Sequence, residues 1–594
     1  MAPMQTIASN GELARHVVSR NGQIHFNIPE GLIPTFVKDA YHLTLQGHNA
    51  AAADLLTEAN LELVDTWLQQ GRTGGRVASL LLAVVQQRHG QLDAARCRYE
   101  ALAQWEPYSL VFNELAEIQR SQGSPSRALT YRQQALQLDP RDINLAVACA
   151  VDHMILRQYD AAMQLFEQLW QADCLNEFGL SSYLWYLHYI PDVDRQHLFD
   201  VHRTWGQRYA PGHLARRSHD NDRSPQRPLR IGYVSADLFS HSVAYVFDAL
   251  LQGHDRSRVE VYGYGNVHTP DRVTEYFIPR FDCYRSIYGI SDARAAEWIR
   301  RDRIDILVAT AGHSSNHRLK VLAYKPAPIQ VDLGGINTTG MEQVDYRFTD
   351  RQLDPPHAEQ WCLEQSVFLP GGALRYAPPQ GAEPVGPLPA LQNGYVTFGS
   401  FNNHVKMNPQ VLATWARVMH QCPGSRLLLK FKAGSDEQIR RQILEELAAL
   451  GIAENRVSVL GWLSHQEHWQ CYQRVDIALD TFPFNGCITT LEALWMGVPT
   501  IAWAGDLWVS RMGLSVLTAA GLDDLTARGP DQWVAKTVAL ASNLTGLARL
   551  RSTLRQRLQQ TALCDCRGFA RDLEEAYRSV WLKWIGEKQV IGDR

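Results

Sequence analysis

The stretch DTFPFNGCITTLEALWMGVPT, residues 480–500, sets Asn485, Gly486 and two threonines, Thr489 and Thr490, between an apolar run (DIALD, 476–480) and an amphipathic stretch. A helix that starts there has first-turn N–H groups without intrahelical partners, and these groups and the helix dipole together favour an anion such as a diphosphate. The same residues suit an ordinary N-cap, and the stretch alone leaves both readings open. Upstream, SFNNHVKMNP (400–409) offers the amides of Asn402 and Asn403, with Lys406 just before a helix that Pro409 is placed to start. A lysine at one strand end and a helix N-terminus at another would neutralise a leaving diphosphate without a metal. No Asp-x-Asp pair stands at a strand end to hold a divalent cation, so no metal site is expected. The alternative for Lys406 is a solvated surface lysine.

Histidines supply the remaining chemistry. In LSHQEHWQCYQRVDIALD (463–480), His465 and His468 precede the DIALD strand beside Trp469, where an imidazole could stack on a nucleobase or serve only the fold. Nearer the N-terminus, SADLFSHSVAY (235–245) places His241 after one apolar run, and TAGHSSNHR (310–318) places Gly312 and His313 after another. Two histidines at adjacent strand ends would face one cleft and orient or deprotonate an acceptor hydroxyl. A structural role for either stays open.

The elements that must position these residues divide the chain. Its 594 residues exceed one core, so roughly three to five domains are expected. A formal net charge of −4 and a pI near 6.6 give no basic footprint for nucleic acid. The ten cysteines lack zinc-site spacing and read as reduced thiols of a cytoplasmic protein. No apolar run is long enough to span a membrane, and the polar first thirty residues read as a frayed extension.

Residues 31–210 read as helices without strands. Ala94 and Ala101 are followed 34 residues later by Ala128 and Ala135, and Ala162 continues the first series; Gly90 and Gly123 precede helices that Pro107 and Pro140 close. This is the tetratricopeptide pattern, three to four helix pairs, with an earlier unit near Gly47 and Ala51. Stacked repeats of this kind present a concave surface for extended peptides or for self-association into a homodimer. After a polar linker, 211–228, the runs 229–236, 259–265 and 304–310 alternate with helix-length stretches. A second series, 395–401, 425–431, 456–462, 476–480 and 499–503, follows the Pro- and Gly-rich segment 378–394. Alternation of this kind predicts two parallel α/β lobes, 229–385 and 386–560, with helices over 561–594 and the ligand at the strand carboxyl ends.

The ordered motifs RIGYVS, HSVAY, DILV-x-x-AGH, KPAPIQ (325–330), NTTG, DYRFTD, FGSFNN-x-x-K and DTFPFNG-x-x-TT resemble the protein O-linked N-acetylglucosamine transferases of glycosyltransferase family 41. They resemble still more closely the SPINDLY branch, which uses GDP-fucose. The resemblance implies a tetratricopeptide superhelix followed by a GT-B region of two Rossmann-like lobes. It implies an inverting, metal-independent transfer from UDP-N-acetylglucosamine, narrowly preferred, or from GDP-fucose, to serine or threonine of protein acceptors. No cofactor, nucleic acid or membrane enters this reading.

By position, the resemblance makes Lys406 the diphosphate lysine, His468 the base-stacking histidine, Thr489 and Thr490 the threonines of the diphosphate helix, and His241 the first-lobe active-site histidine. Glu492 stands where SPINDLY proteins carry glutamate and the N-acetylglucosamine enzymes aspartate. Asn403, Leu463, His465, Asn485 and Gly486 complete the expected donor site, and Asp271, Gly312, His313, Gly334, Gly335 and Thr338 the expected acceptor or sugar contacts. His241, Asp271 and the donor's own phosphate are alternative general bases. Two departures stand out. The loop VDLGGINTTG (331–340) is one residue short of the family's W-x-GYP-x-TTG form and lacks its Trp, Tyr and Pro. Cys487 and Ile488 replace a glycine and a threonine. Both changes leave room for a weakened enzyme that acts as a sensor or repeat scaffold.

Overall fold

A computed structural model of the chain describes residues 13, 16–20, 23–26, 28, 29, 31–46, 48–72, 74–216, 218–379 and 381–592; Gly47 and much of the extension lie outside the described residues. The chain divides into two compact units, Met1–Asn176 with Ser435–Ile439 and Glu177–Gly434 with Arg440–Arg594.

In the first unit, part of the extension is an antiparallel hairpin (Val17–Arg20 with Gln23–Phe26) rather than a frayed end. Phe26 holds it to the helical core through an edge-on contact with Tyr41, ring centroids 5.1 Å apart. Helices Thr35–Leu45, Asn49–Asp54 and Glu58–Gln69 follow. Three regular pairs come next: α1 (Gly75–Arg88) with α2 (Leu92–Trp105), α3 (Ser109–Ser121) with α4 (Pro125–Leu138), and α5 (Ile143–Ile155) with α6 (Tyr159–Gln171). The first helices of the pairs start 34 residues apart, at 75, 109 and 143. Within the pairs the turns use Gly90 (φ +75°) and Gly123 (φ +81°), left-handed positions that glycine occupies without strain. Arg157, at φ +58°, takes the third such place.

The alanine register needs a correction. Ala94 is exposed and Ala101 half-buried, whereas Ala95 and Leu102 are buried in the places that Ala128 and Ala135 fill one pair later. The cause is α1, which has 14 residues against 13 in α3 and so shifts its partner by one. In the earlier unit Ala52, not Ala51, is buried.

The second unit opens with α7 (Glu177–Leu187) and α8 (Arg195–Tyr209). The sequence grouped these helices with the repeats, but they pack on the sheet that follows. Gly206 lies so close to Gly340 that a Cβ would come 1.7 Å from the Gly340 carbonyl oxygen. Gln343 donates to the Ala210 carbonyl, and Lys320 pairs with Glu177 at 2.8 Å. Segment 211–228 is pinned to the same sheet, because Asn221 and Arg227 both donate to the buried Asp305.

The first sheet contains β1 (Leu229–Ser235), β2 (Val259–Gly265), β3 (Cys283–Ser286), β4 (Ile306–Ala309), β5 (Ile329–Leu333), β6 (Tyr346–Thr349) and β7 (Gln365–Phe368). All are parallel, in the order β3-β2-β1-β4-β5-β6-β7. The second lobe repeats the plan. Its elements are β8 (Thr397–Ser400), α9 (Pro409–Gln421), β9 (Arg426–Lys430), β10 (Val457–Leu460), α10 (His465–Tyr472), β11 (Ile477–Leu479), α11 (Ile488–Trp495), β12 (Thr500–Trp503) and β13 (Thr526–Ala527). Its parallel order is β10-β9-β8-β11-β12-β13. Each sheet is doubly wound, and each reverses direction between its first and fourth strands, where such sheets open a crevice at the strand carboxyl ends. The helical region followed by two Rossmann-like lobes is the expected architecture.

The last helix, α12 (Cys566–Gly592), returns to the first lobe. The Tyr577 hydroxyl lies 3.1 Å from that of Tyr233 on β1, and Glu574 meets His254 at 3.1 Å and accepts from the Asp255 N–H. Tyr577 also stacks on Phe348 of β6.

Among the described residues no helix is long and apolar enough to cross a membrane, and all ten cysteines are free thiols.

Candidate active site

The reversal between β8 and β11 collects most of the predicted donor-site residues. Beyond β8, Asn403 is exposed and accepts from the Val405 N–H, shaping a short 3-10 turn that delivers Lys406. Asn402, by contrast, is buried and faces the crevice, where its Oδ1 accepts from the Thr489 hydroxyl at 3.0 Å. The Lys406 ammonium donates to the Asn485 carbonyl at 2.8 Å and lies 4.0 Å from the Phe484 ring centroid. Burial pulls its pKa down to about 8, against the opposing charge of Asp480. Asp480, just past β11, is pushed up to about 7 by burial, while the Gly486 and Thr481 N–H groups donate to its Oδ1. The sequence reading passed over Asp480 as the end of an apolar strand, although a carboxylate there, next to a half-buried lysine, shapes the whole 481–486 loop.

α11 is not capped by its threonines. Cys487 is the N-cap residue and makes no side-chain capping bond, so the first-turn N–H groups have no side chain to satisfy them. Thr489 turns its hydroxyl to Asn402, and Thr490 donates back to the Gly486 carbonyl at 3.1 Å. Of the two readings of this stretch, the ordinary cap is the one the geometry removes. Glycine at 486 leaves room for the polar groups around it, since a Cβ would come 2.5 Å from the Thr489 hydroxyl and 3.0 Å from Asn402 Oδ1 and would force those side chains to shift. Asn485 holds the loop from beneath, donating to the Thr481 and Trp503 carbonyls. Burial raises the Cys487 thiol to about 12, which keeps it protonated and neutral.

One turn along α11, Glu492 accepts from His468 Nε2 at 3.0 Å and from the Tyr472 hydroxyl at 3.3 Å. His468 Nδ1 lies 3.1 Å from the Nζ of Lys430, at the end of β9. A protonated lysine only donates, so Nδ1 accepts and Nε2 carries the proton toward Glu492. Burial lowers the Lys430 pKa against the attraction of Glu492. Sequence reasoning missed Lys430 because it closes an apolar strand with no turn signal beside it. His465 begins α10 behind a Ser464–Glu467 capping box, is exposed, and accepts from Trp469 Nε1. Leu463 is half-exposed just before it.

The first lobe keeps fewer of its expected contacts at the surface. His241 is accessible, with 41% of its side chain exposed, and its Nδ1 lies 3.7 Å from Asp237 Oδ1. Burial raises the Asp237 pKa, and His241 opposes the rise. Asp271 is not placed as a base. Its carboxylate caps helix Arg272–Phe277, accepting from the Val273 and Thr274 N–H groups, and also accepts from the Ser240 N–H. Burial pushes its pKa up, but the N–H groups of Thr274, Ser240 and Val273 outweigh it and hold the carboxyl below its ordinary value. Asp271 therefore fixes the loop that carries His241.

His313 does not face a cleft. It is buried against Trp205 of α8 (4.8 Å between centroids), His202 (5.1 Å) and His317 (5.6 Å), and burial takes its pKa down to about 3. Thr338 is likewise sunk, donating to Glu364 at 2.6 Å. Gly312 packs on Gly335, Gly335 sits over the buried Asp332 carboxyl, and only Gly334 of this trio is exposed. Burial, reinforced by Glu364, raises Asp332 to about 7. The described residues contain no cluster of three or more His, Cys, Asp or Glu arranged for a metal. A cavity of about 890 Å³ lies beside Phe482 and Trp503, lined by Arg195, Gln352, Arg511 and Arg528, and holds none of the predicted site residues.

The profile of a family described as Glycosyl transferase family 41 matches residues 212–373 and 389–573. Over 404 residues the chain is 41% identical to a tomato (Solanum lycopersicum) protein named probable UDP-N-acetylglucosamine–peptide N-acetylglucosaminyltransferase SPINDLY, and 42% identical to the Arabidopsis thaliana protein of that name. The alignments take in 67% of this chain but 43% and 44% of those relatives. A solved structure of a mutant Thermobaculum terrenum O-GlcNAc transferase superposes with a TM-score of 0.81 at 32% identity, covering 86% of this chain and 98% of that one.

Proposed function

The chain belongs to glycosyl transferase family 41, and from that premise we propose that it transfers a sugar, with inversion, from a nucleotide-sugar donor to serine or threonine of protein acceptors. The observation that carries the reading is the pairing, at one reversal point, of the half-buried Lys406 ammonium with the uncapped N-terminus of α11. Both aim positive charge at one spot, where the leaving nucleoside diphosphate would gather negative charge. The reading assigns no metal and no cofactor. His241, with Asp237 beside it, orients or deprotonates the acceptor hydroxyl, and the donor's own phosphate is the alternative base. Tetratricopeptide-like pairs α1–α6 present the acceptor polypeptide, and a homodimer through the same surface belongs to the proposal, as does a cytoplasmic location.

UDP-N-acetylglucosamine is the preferred donor, in line with the names of the relatives at 41% and 42% identity. GDP-fucose is the second reading, favoured by Glu492 and by the closer likeness of the ordered motifs to the SPINDLY branch. A thermal-shift titration with UDP, GDP, UDP-N-acetylglucosamine and GDP-fucose separates the two, because a ligand bound only by the native state raises apparent stability. Stabilisation by uridine compounds supports the first donor and by guanosine compounds the second. Stabilisation by none of them would sink donor binding and leave a repeat scaffold.

A further inference from the structure

We propose that the cavity beside Phe482 and Trp503 is a docking site, separate from the crevice, for an acidic segment of the acceptor polypeptide, held by Arg195, Arg511 and Arg528. This rests on the protein-acceptor reading above and names a sequence feature by which acceptors are chosen.

The cavity lies within the second unit, at the carboxyl ends of β12 and β13, and its lining takes in Gln352 and Pro356 of the first lobe and the start of α8. At about 890 Å³ it falls in the range of sites that enclose a drug-sized ligand, room for a few residues of polypeptide. One loop separates it from the diphosphate crevice. Asn485 serves both sides, since its carbonyl accepts from Lys406 and its amide donates to the carbonyl of Trp503 on the cavity wall. Phe482, stacked flat on Trp503 with centroids 3.8 Å apart, is three residues from Asn485. Three residues of chain span at most about 10 Å, so a polypeptide with its serine in the crevice sets a residue about three or four places away in the cavity.

The cationic groups there lack carboxylate partners. Among the described residues none of the three arginines forms an ion pair. Arg511 is aimed by two backbone contacts, Nε to the Gln352 carbonyl and Nη1 to the Gly505 carbonyl, and its Nη2 is left over. Burial lowers its pKa and the nearby Arg528 pushes the same way, by more than Asp506 and Asp350 restore. A guanidinium whose neighbouring carboxylates do not make up its lost hydration suits a carboxylate arriving on a ligand. Arg195 lies 5.2 Å from the Trp361 ring centroid, a stacking contact that leaves its N–H donors uncommitted, and Arg528 is exposed. Three exposed aspartates, Asp192, Asp506 and Asp523, line the same space, and Pro483, Leu507 and Leu514 add apolar surface. This mixed lining repels a dense polyanion such as polyphosphate and favours a polypeptide with one or two carboxylates among apolar residues.

Fluorescence anisotropy of the full chain tests this, with a labelled, terminally blocked octapeptide of glutamate and alanine, its lysine and alanine counterpart, and tripolyphosphate as competitor. The acidic peptide should bind at least about 10-fold more tightly than the basic one. Arg195→Gln combined with Arg528→Gln should erase that margin while thermal stabilisation by UDP or GDP stays as in the parent. Equal binding of the two peptides overturns the proposal. So does an acidic margin that survives both substitutions, because docking would then lie elsewhere on the chain. Tripolyphosphate that displaces the acidic peptide at a lower concentration than unlabelled acidic peptide does overturns the polypeptide in favour of a phosphate-bearing ligand. A margin that the substitutions erase, in protein that no nucleotide stabilises, supports the cavity and sinks the donor reading alone.

Discussion

The two lobes share one strand order and treat their polar motif residues in opposite ways. In the second lobe Asn402, Lys406, Thr489 and Glu492 converge on one crevice, held by short hydrogen bonds that leave the α11 N-terminus open. In the first lobe His313, Thr338 and Gln330 turn inward and are spent on backbone carbonyls and a buried glutamate, and His241 is what remains at the surface. The contrast teaches that a histidine or threonine after a strand can be there for the ligand or for the fold. What separates the cases is whether an interior donor or acceptor lacks a partner without it.

The sharpest way to break the comparison is Lys406→Met. Removing a charge aimed at the leaving group should cut kcat about 10² to 10³-fold with the circular dichroism spectrum unchanged, and a transfer assay with an intact rate would return Lys406 to an ordinary lysine. Gly486→Ala comes next. Its Cβ meets Thr489, Thr490 and Asn402, so about 1–3 kcal/mol of stability should be lost through overpacking. Nucleotide-induced thermal stabilisation should go with it, read by denaturant titration and thermal shift on the same sample.

The buried histidines in and beside the first lobe predict a pH effect opposite in sign to that of Asp480 in the crevice, whose raised pKa favours the native state as pH falls. Burial holds His188 and His317 near pKa about 4 and His313 near about 3, below the ~6.5 of an unfolded histidine. As pH falls through about 6.5 the unfolded chain takes up protons first, so these groups cost nothing above that point and destabilise the native state progressively toward about 4. The melting temperature should fall across that window, and His313→Gln should flatten the slope; an unchanged slope would mean that other groups carry it. The smallest effect is expected from Asp271→Asn. A base would lose most of its activity, whereas a capping residue should lose about 1 kcal/mol of stability and less than about 10-fold in rate.

Much of the second lobe was legible because its strands are continuous apolar runs and its turns carry Asn-Gly, Pro and Lys at strand ends. Every strand expected there from 395 to 503 is present within a residue or two. In the first lobe β3, β5, β6 and β7 escaped strand prediction. They are four or five residues long and carry Asp332, Arg347 and Ser366 among their apolar positions, so neither a run nor an alternation marks them. Gln330 and Arg347 are tolerated there because each finds partners inside, the Leu322 and Gln343 carbonyls for one and Asp354 for the other. Those bonds reach 7 to 13 residues along the chain, to loop and helix positions outside the strands themselves, so the strand pattern does not announce them. Asn402 and Asn403 show the same limit at the site, since adjacent identical residues point one to the crevice and one to solvent.

The return of α12 to β1 also sets a clock on synthesis. Tyr233 and Tyr577 meet across 344 residues of chain. At about 5–20 residues per second, a ribosome needs roughly 20 to 70 s to supply the second tyrosine after the first. From the completion of β7 at Phe368 until α12 emerges, the first lobe has its strands but not the helix that covers Tyr233, His254 and Phe348. Nascent chains halted before residue 566 should therefore expose an apolar face to chaperones, and those extended past 592 should hide it.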